Sequence, residues 1–219
     1  LVGNDGPTHM GLYDIAYLLA VPHMTITAPK DGAEMLALLR LGVEQNDGPF
    51  SLRYPRGTVP AEVPSLDEIP VIEPGTWEVL RRGQGLAILA VGTMVLPALE
   101  AAAILAEEGI EATVVNCRFI KPYDVETLKW VAERHQAILT VEEGTIVNGF
   151  GAFMARELAT MGYDLRSLRL DAHGVPDRLI DHATRDEQLE ELGLTPTGIA
   201  ERARALAADA HLEPIRETA

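Results

Sequence analysis

Hydrophobic positions follow two alternating periods along the second half of the chain. Apolar runs with the length and composition of strands lie at 86–91, 112–117, 137–143 and 167–171. Helical spacing of apolar residues separates or follows these runs, at 95–108, 124–134, 150–161 and 197–208. Because nearly continuous apolar strands alternate with helices, the pattern predicts an α/β fold with a mainly parallel sheet that is covered on both faces.

The first part of the chain carries a shorter version of this pattern. The predicted elements are a helix from Leu12 to the break at Pro22, a strand at 24–29, a helix from Asp31 to the turn at 46–49, and a strand at 50–55. Leu1 begins an apolar run that is typical of a further strand. Three strands are fewer than a stable sheet usually has, so we expect an incomplete α/β unit with an open strand edge.

Four prolines and scattered acidic residues lie between these two parts, a composition that predicts an extended linker. We therefore predict an incomplete unit at 1–57, a linker at 58–84, a self-contained α/β domain at 85–208 and a polar tail at 209–219. Ligands of such sheets bind beyond the carboxyl ends of the strands. The loops at Gly92, at 118–122 and at 142–151 should thus lie on one edge of the sheet.

Composition narrows the class of protein. The 219 residues include 18 basic and 33 acidic side chains, and the net charge of −15 argues against binding to nucleic acid or to an anionic membrane. Any anionic substrate must then be held by local cations. No apolar run approaches the ~20 residues of a membrane span. The single cysteine, Cys117, lies in an apolar strand, which favours an inert thiol and a cytoplasmic, reducing compartment.

Two loops hold the residues that are best suited to bind a substrate or to transfer a proton. His9 lies in a glycine-bounded turn, where an imidazole could move protons, although a lone histidine is more often structural. Asp5 could orient His9 or bind a substrate hydroxyl, or it could simply form the turn. Arg56 follows the end of a strand and has the planar geometry that suits phosphates and carboxylates, and Arg53 is the second candidate cation.

The sequence gives weaker indications of an anion-binding site, a carboxylate pair or a metal site. Gly149 and Gly151 precede a helix and could form an anion-binding nest, although packing at the helix start is the commoner reason for such glycines. Glu142 and Glu143 are adjacent on a strand, so their side chains should point to opposite sides and not form a carboxylate pair. The remaining histidines do not have the spacing of metal ligands, and we predict no metal site.

Six segments, in this order and across nearly the whole chain, resemble the C-terminal part of the 1-deoxy-D-xylulose-5-phosphate synthase family. These segments are DGPTHMGLYDIAYLLAVPHM, APKDGAEM, DGPFSLRYPRG, CRFIKPYD, VEEGTIVNGFGA and GVPDRLIDH. That family belongs to the transketolase-like thiamine diphosphate enzymes. The resemblance implies part of a pyrimidine-binding domain at 1–57 and a transketolase C-terminal-like domain at 85–208.

The resemblance also implies an activity and a site. The reaction is a decarboxylating condensation of pyruvate with D-glyceraldehyde 3-phosphate in isoprenoid biosynthesis, and the enzyme is a homodimer. The family pattern makes His9 and Asp5 contacts of the bound substrate and Arg56 a clamp for the triose phosphate. Asn148 and Ala183 stand where the family usually has glycine, and we expect both to lie away from the chemistry.

The family holds thiamine diphosphate and Mg²⁺ with a GDG motif that does not occur in this sequence. The resemblance therefore implies that the cofactor site and the catalytic glutamate precede Leu1, in the N-terminal part of the same enzyme. Two alternatives remain. The chain could be another transketolase-like thiamine diphosphate enzyme, or it could be a non-catalytic module that makes dimer contacts.

Overall fold

The computed structural model describes residues 1–44, 48–59 and 64–212. The α-helices of this part are α1 Asp14–Leu18, α2 Gly32–Glu44, α3 Val95–Glu107, α4 Val125–Arg134, α5 Phe150–Thr160, α6 Arg185–Glu191 and α7 Pro196–Asp209. The strands are β1 Thr25–Thr27, β2 Phe50–Leu52, β3 Glu78–Arg81, β4 Gly85–Ala90, β5 Thr113–Asn116, β6 Phe119–Lys121, β7 His135–Thr145 and β8 Arg169–Val175. Part of the predicted turn at 46–49, Pro60 of the linker and most of the predicted tail lie outside the described residues.

The larger sheet has five strands in the order β3-β5-β4-β7-β8. Strands β5, β4, β7 and β8 are parallel, and β3 pairs with β5 in the antiparallel sense. Strand β4 shows how both faces are covered: Leu86 and Ile88 pack with α3 and α7, whereas Ala87 and Leu89 pack with α4 and α5. The prediction of a mainly parallel α/β sheet buried on both faces is confirmed.

The smaller sheet has three strands in the order β2-β1-β6. Strand β1 is parallel to β2 and antiparallel to β6, and β6 comes from the second half of the chain. On its outer side, β2 has no partner strand among the described residues, which agrees with the expected open edge. The predicted strand at Leu1 is wrong, because a 3-10 turn occupies Gly3–Asp5.

Two boundary expectations need correction. The segment at 58–84 is not an extended linker throughout, because it contains a 3-10 turn at Leu66–Glu68 and strand β3, which joins the larger sheet. The region from 85 onward is also not self-contained. Leu1 and Leu12 belong to its hydrophobic core, and β6 leaves it to pair with β1. The two parts of the chain therefore share both a core and a sheet.

Candidate functional site

The loop that carries Asp5 and His9 rests on the second half of the chain. A Cβ added at Gly3 would lie 2.0 Å from the Ala183 carbonyl oxygen, and one at Gly6 would lie 2.3 Å from the ring of His182. Gly6 also has a φ of 78°, so the close approach and the turn both require glycine there. The expectation that Ala183 lies away from the candidate site is therefore wrong, since its carbonyl contacts the loop two residues from Asp5.

Asp5 and Arg56 form an ion pair across the two loops. Arg56 Nη1 donates to Asp5 Oδ2 at 2.7 Å, and the exposed fractions of the two side chains are 71% and 42%. An ion pair as exposed as this contributes little to stability, so the arginine can exchange its partner for an anionic ligand at low cost. The structure thus brings together two of the predicted site residues, and Asp5 faces Arg56 instead of orienting His9.

His9 lies on the same loop and is exposed. Its Nδ1 is 2.9 Å from Thr8 Oγ1, and its backbone N–H donates to the Gly6 carbonyl at 3.1 Å. No hydrogen bond joins the imidazole to Asp5 or Arg56 within the part of the chain that the structure describes. The Nε2 side of the ring is therefore open to a ligand, while Thr8 contacts Nδ1 and the turn fixes the backbone.

Arg53 is held differently from Arg56. Its Nε donates to Asp14 Oδ2 at 2.7 Å, and its Nη2 donates to the carbonyl oxygens of Gly11 at 3.0 Å and Glu143 at 2.6 Å. Only 14% of its side chain is exposed. The predicted substrate contact of Arg53 stays a prediction, and the geometry joins this guanidinium to the walls of the site.

A cleft of about 250 Å³ lies between the two parts of the chain. Residues 52–56 form one wall, and Gly92, Thr93 and Glu143 form the opposite wall. The second wall stands at the carboxyl ends of β4 and β7, as expected for ligand sites of parallel sheets. Arg56 lines the cleft. A local cation therefore borders an opening of small-molecule size.

Glu143 lines this cleft and is buried. It accepts hydrogen bonds from Arg185 and from Thr93 Oγ1, the latter at 2.8 Å. Burial alone would raise the pKa of this carboxyl, but the hydrogen bond and the positive charge of Arg185 oppose burial and lower the pKa. Glu143 is therefore an ionised anchor and not a proton donor at neutral pH.

Glu142 points to the opposite side, as predicted, into a cradle of glycines. The backbone N–H groups of Phe150 and Gly151, at the start of α5, each donate to one of its carboxyl oxygens at 2.9 Å. A Cβ added at Gly149 would lie 2.6 Å from Glu142 Oε2. The possible anion nest thus exists, but the chain's own carboxylate fills it. Burial raises the pKa of Glu142 to about 7, although both N–H groups and the Arg53 charge lower it.

The described residues contain neither a group of metal ligands nor a helix that could span a membrane. Within 1–44, 48–59 and 64–212, no three His, Cys, Asp or Glu side chains are grouped so that they could hold a metal ion. None of the helices in these ranges has the length and apolarity to cross a membrane.

Two family models match the chain. The transketolase pyrimidine-binding domain matches residues 1–62, and the transketolase C-terminal domain matches residues 75–199. This chain belongs to the transketolase family. The predicted fold class, part of a pyrimidine-binding domain followed by a transketolase C-terminal domain, is confirmed.

Two relatives of this chain carry the same name. A 1-deoxy-D-xylulose-5-phosphate synthase from a Synechococcus species is 48% identical over 208 residues, which are 94% of this chain and 31% of the relative. The synthase from Rippkaea orientalis is 48% identical over 205 residues, with 92% and 31% covered. The predicted resemblance is confirmed. The chain spans about a third of the length of these relatives.

Solved transketolase structures share the fold. A split-gene transketolase, described as an inactive beta4 tetramer, is 30% identical with a TM-score of 0.79, and the match covers 93% of this chain and 64% of that one. A transketolase from Pichia stipitis is 23% identical with a TM-score of 0.70, and the match covers 99% and 30%.

Sequence reasoning missed several residues that shape this transketolase-family site. Asp14 and Arg185 gave no signal, because each lies on a helix where a charged residue is ordinary, and only the fold brings Asp14 to the cleft and Arg185 to Glu143. Thr93 also could not be found from spacing. The sequence predicted that Glu142 and Glu143 follow each other near the end of a strand. Only the glycines that come after them indicated that a carboxyl group, that of Glu142, is enclosed.

Proposed function

We propose that this chain is the C-terminal part of a 1-deoxy-D-xylulose-5-phosphate synthase, a transferase of the transketolase type. The enzyme would condense pyruvate with D-glyceraldehyde 3-phosphate, with loss of carbon dioxide, and its product would serve isoprenoid and thiamine biosynthesis. The observation that carries the proposal is the exposed Asp5–Arg56 pair on the cleft. The pair joins two of the sequence segments that resemble the synthases, DGPTHMG and RYPRG.

The geometry supports a division of roles. Arg56 would bind the dianionic phosphate of the triose, since the overall charge of −15 cannot attract it and a local fork of donors can. Asp5 would hold Arg56 before the substrate arrives and then bind a substrate hydroxyl. His9, exposed beside them, would donate or accept a proton at the substrate oxygen.

The described residues do not fit thiamine diphosphate with Mg²⁺. They hold no three-ligand metal group, and Glu142 already fills the anion cradle at the start of α5. We therefore propose that both groups are bound by the cofactor-binding portion of the enzyme outside this chain. We also propose that the complete enzyme is a homodimer. Its compartment would be the cytoplasm, in keeping with the single buried thiol of Cys117.

A second candidate has a specific observation in its favour. A protein of related fold is described as a split-gene transketolase in the form of an inactive beta4 tetramer. This chain could likewise be a separate subunit that is non-catalytic alone and makes dimer contacts. A different transketolase-like activity is the third possibility, and it would use a ketose phosphate donor in place of pyruvate.

Turnover measurements separate these proposals. The 219-residue chain and the complete enzyme, in which the cofactor-binding portion precedes it, would each be assayed with thiamine diphosphate and Mg²⁺. We expect product from pyruvate and glyceraldehyde 3-phosphate with the complete enzyme and none with the chain alone. Activity restored by mixing the two portions would support the separate subunit. Turnover of the chain alone, or of a ketose phosphate but not pyruvate, would contradict the proposed function.

A further inference from the structure

Arg53 lies three residues before Arg56, yet the two guanidinium groups have opposite surroundings. Arg56 is largely exposed with one charged partner, whereas Arg53 is largely buried, with its Nε and Nη2 making three hydrogen bonds to the chain. We propose that Arg53 is a positioning residue that fixes the loop of Asp5 and His9 against the carboxyl end of β7. This inference rests on the proposed function, because it assigns Arg53 a role in that same site.

The three acceptors of Arg53 belong to three separate parts of the fold. Asp14 is the first residue of α1, Gly11 ends the loop that carries His9, and Glu143 lies near the end of β7. A planar guanidinium can serve acceptors in several directions at once, which a lysine ammonium on a flexible stem does less rigidly. One side chain therefore ties the site loop to both the helix that follows it and the opposite wall of the cleft.

A second link runs in parallel with Arg53. The Thr145 N–H, at the end of β7, donates to the Leu12 carbonyl at 2.8 Å. The junction between loop and helix is thus attached to β7 twice, at Gly11 through Arg53 and at Leu12 directly. If the Arg53 bonds are lost, the Leu12 link remains, so we expect the loop to shift or loosen while the domain stays folded.

Asp14 depends on its ion pair with Arg53 for a charge partner. Asp14 Oδ1 is buried and has no hydrogen-bond partner among the described residues, and Arg53 supplies the ion pair to the other oxygen. A substrate phosphate that drew the guanidinium away would leave a partly buried carboxylate without its cation. Arg56 can change partners without this penalty, which assigns the phosphate to Arg56 and the positioning to Arg53.

Kinetics of the complete enzyme test the proposal. The variants are Arg53→Gln, Arg53→Lys, Asp14→Asn and the double variant Asp14→Asn with Arg53→Gln. We expect kcat per folded enzyme to fall roughly 10- to 100-fold, with similar losses in kcat/KM for pyruvate and the triose phosphate, because the loop is displaced. Lysine should not restore the rate, Asp14→Asn should reproduce part of the loss, and the double variant should lose no more than Arg53→Gln.

Arg202→Gln is the matched control. Arg202 pairs with Asp171 between α7 and β8, so this variant removes an arginine–aspartate pair outside the cleft. We expect it to leave kcat unchanged. A rise in KM for the triose phosphate alone, with partial recovery in Arg53→Lys and no effect of Asp14→Asn, would show a substrate contact and overturn the proposal. A lower melting temperature with unchanged kcat per folded enzyme would show a purely structural pair and would also overturn it.

Hydrogen exchange gives a result that does not depend on turnover. The loop N–H groups of Asp5, Gly6 and His9 are bonded within the loop, to Val2, Gly3 and Gly6 carbonyls. In Arg53→Gln, and in Asp14→Asn if the first variant does not fold, their exchange should accelerate roughly tenfold or more, with no change in α7. Unchanged exchange in the loop would overturn the proposal. If the unmodified complete enzyme had no synthase activity, the proposed function would fail, and the exchange data would still decide whether Arg53 holds the loop.

Discussion

Replacing Glu142 with glutamine should remove a pH-dependent loss of stability from the protein. Burial raises the pKa of this carboxyl from 4.5 to about 7, against the N–H groups of Gly151 and Phe150. The folded protein therefore keeps the proton over a pH range in which the unfolded chain has already released it. The free energy of unfolding then falls as the pH rises from 4.5 to 7 and is level above that range.

The magnitude follows from the two pKa values. A folded pKa of about 7 against an unfolded value of 4.5 corresponds to about 3 kcal/mol in total. Between pH 5 and pH 8 the expected loss is about 2 to 3 kcal/mol, since part of it has already occurred at pH 5. Other groups also titrate, so the informative quantity is the unfolding free energy of wild type minus that of Glu142→Gln. That difference should shrink by this amount as the pH rises.

Urea unfolding at pH 5 and pH 8, followed by the fluorescence of the buried Trp77, measures both free energies. Glu143→Gln is the matched control. Burial would raise the pKa of Glu143, but the hydrogen bond and the positive charge of Arg185 lower it, so its contribution is present above 4.5 and lost only at lower pH. The Glu143 difference should stay level between pH 5 and 8. A level difference for Glu142→Gln as well would show that Glu142 is ionised throughout and that the reasoning is wrong.

Three further results are expected. Arg56→Ala in the complete enzyme should weaken transition-state binding of the triose phosphate by about 2 to 4 kcal/mol and affect pyruvate far less, and equal losses in steady-state kinetics would contradict the clamp. Gly149→Ala should lower the unfolding free energy by about 2 kcal/mol or more, because its Cβ would lie 2.0 Å from the Thr145 carbonyl, whereas Gly57→Ala, with no atom within 4 Å, should be nearly neutral. Cys117, whose pKa burial raises well above its usual value, should react with a thiol reagent only after unfolding, and rapid labelling of the folded chain would count against that burial.

The larger sheet could be predicted because its signal is local. The runs at 86–91 and 137–141 are largely apolar on both faces, and the helices between such runs have 3.6-residue spacing of apolar residues, so each element can be predicted from its own residues. Strand β3 and strand β6 could not be predicted in this way. Each is three or four residues long, and each owes its conformation to a partner far along the chain, β5 for the former and β1 for the latter.

The candidate site was predictable only in part for the same reason. A glycine-containing turn holds Asp5 and His9, and Arg56 follows the end of a strand. Such positions favour exposed polar groups, and the resemblance to the synthase family implied a role for each of the three residues. Asp14 gave no such signal, because an aspartate at a helix start is ordinary and its pairing with Arg53 spans 39 residues. An exposed arginine can bind a substrate, whereas a buried arginine supports the structure of the site. The sequence does not predict which of the two is buried, because Arg53 and Arg56 lie in similar local sequence.

The larger sheet has a topological switch point between β4 and β7, since α3 leads from β4 toward β5 on one face and α5 leads from β7 toward β8 on the other. In α/β proteins this crevice is the usual ligand site. Here the chain's own first segment enters it: Leu12 packs in the core of the larger sheet, and its carbonyl oxygen accepts a hydrogen bond from the Thr145 N–H. The C-terminal domain thus uses its crevice to hold a loop that carries Asp5 and His9. It follows that neither 1–57 nor 85–208 contains the site alone, and that substitutions in the C-terminal domain at this crevice should act on the site through that loop.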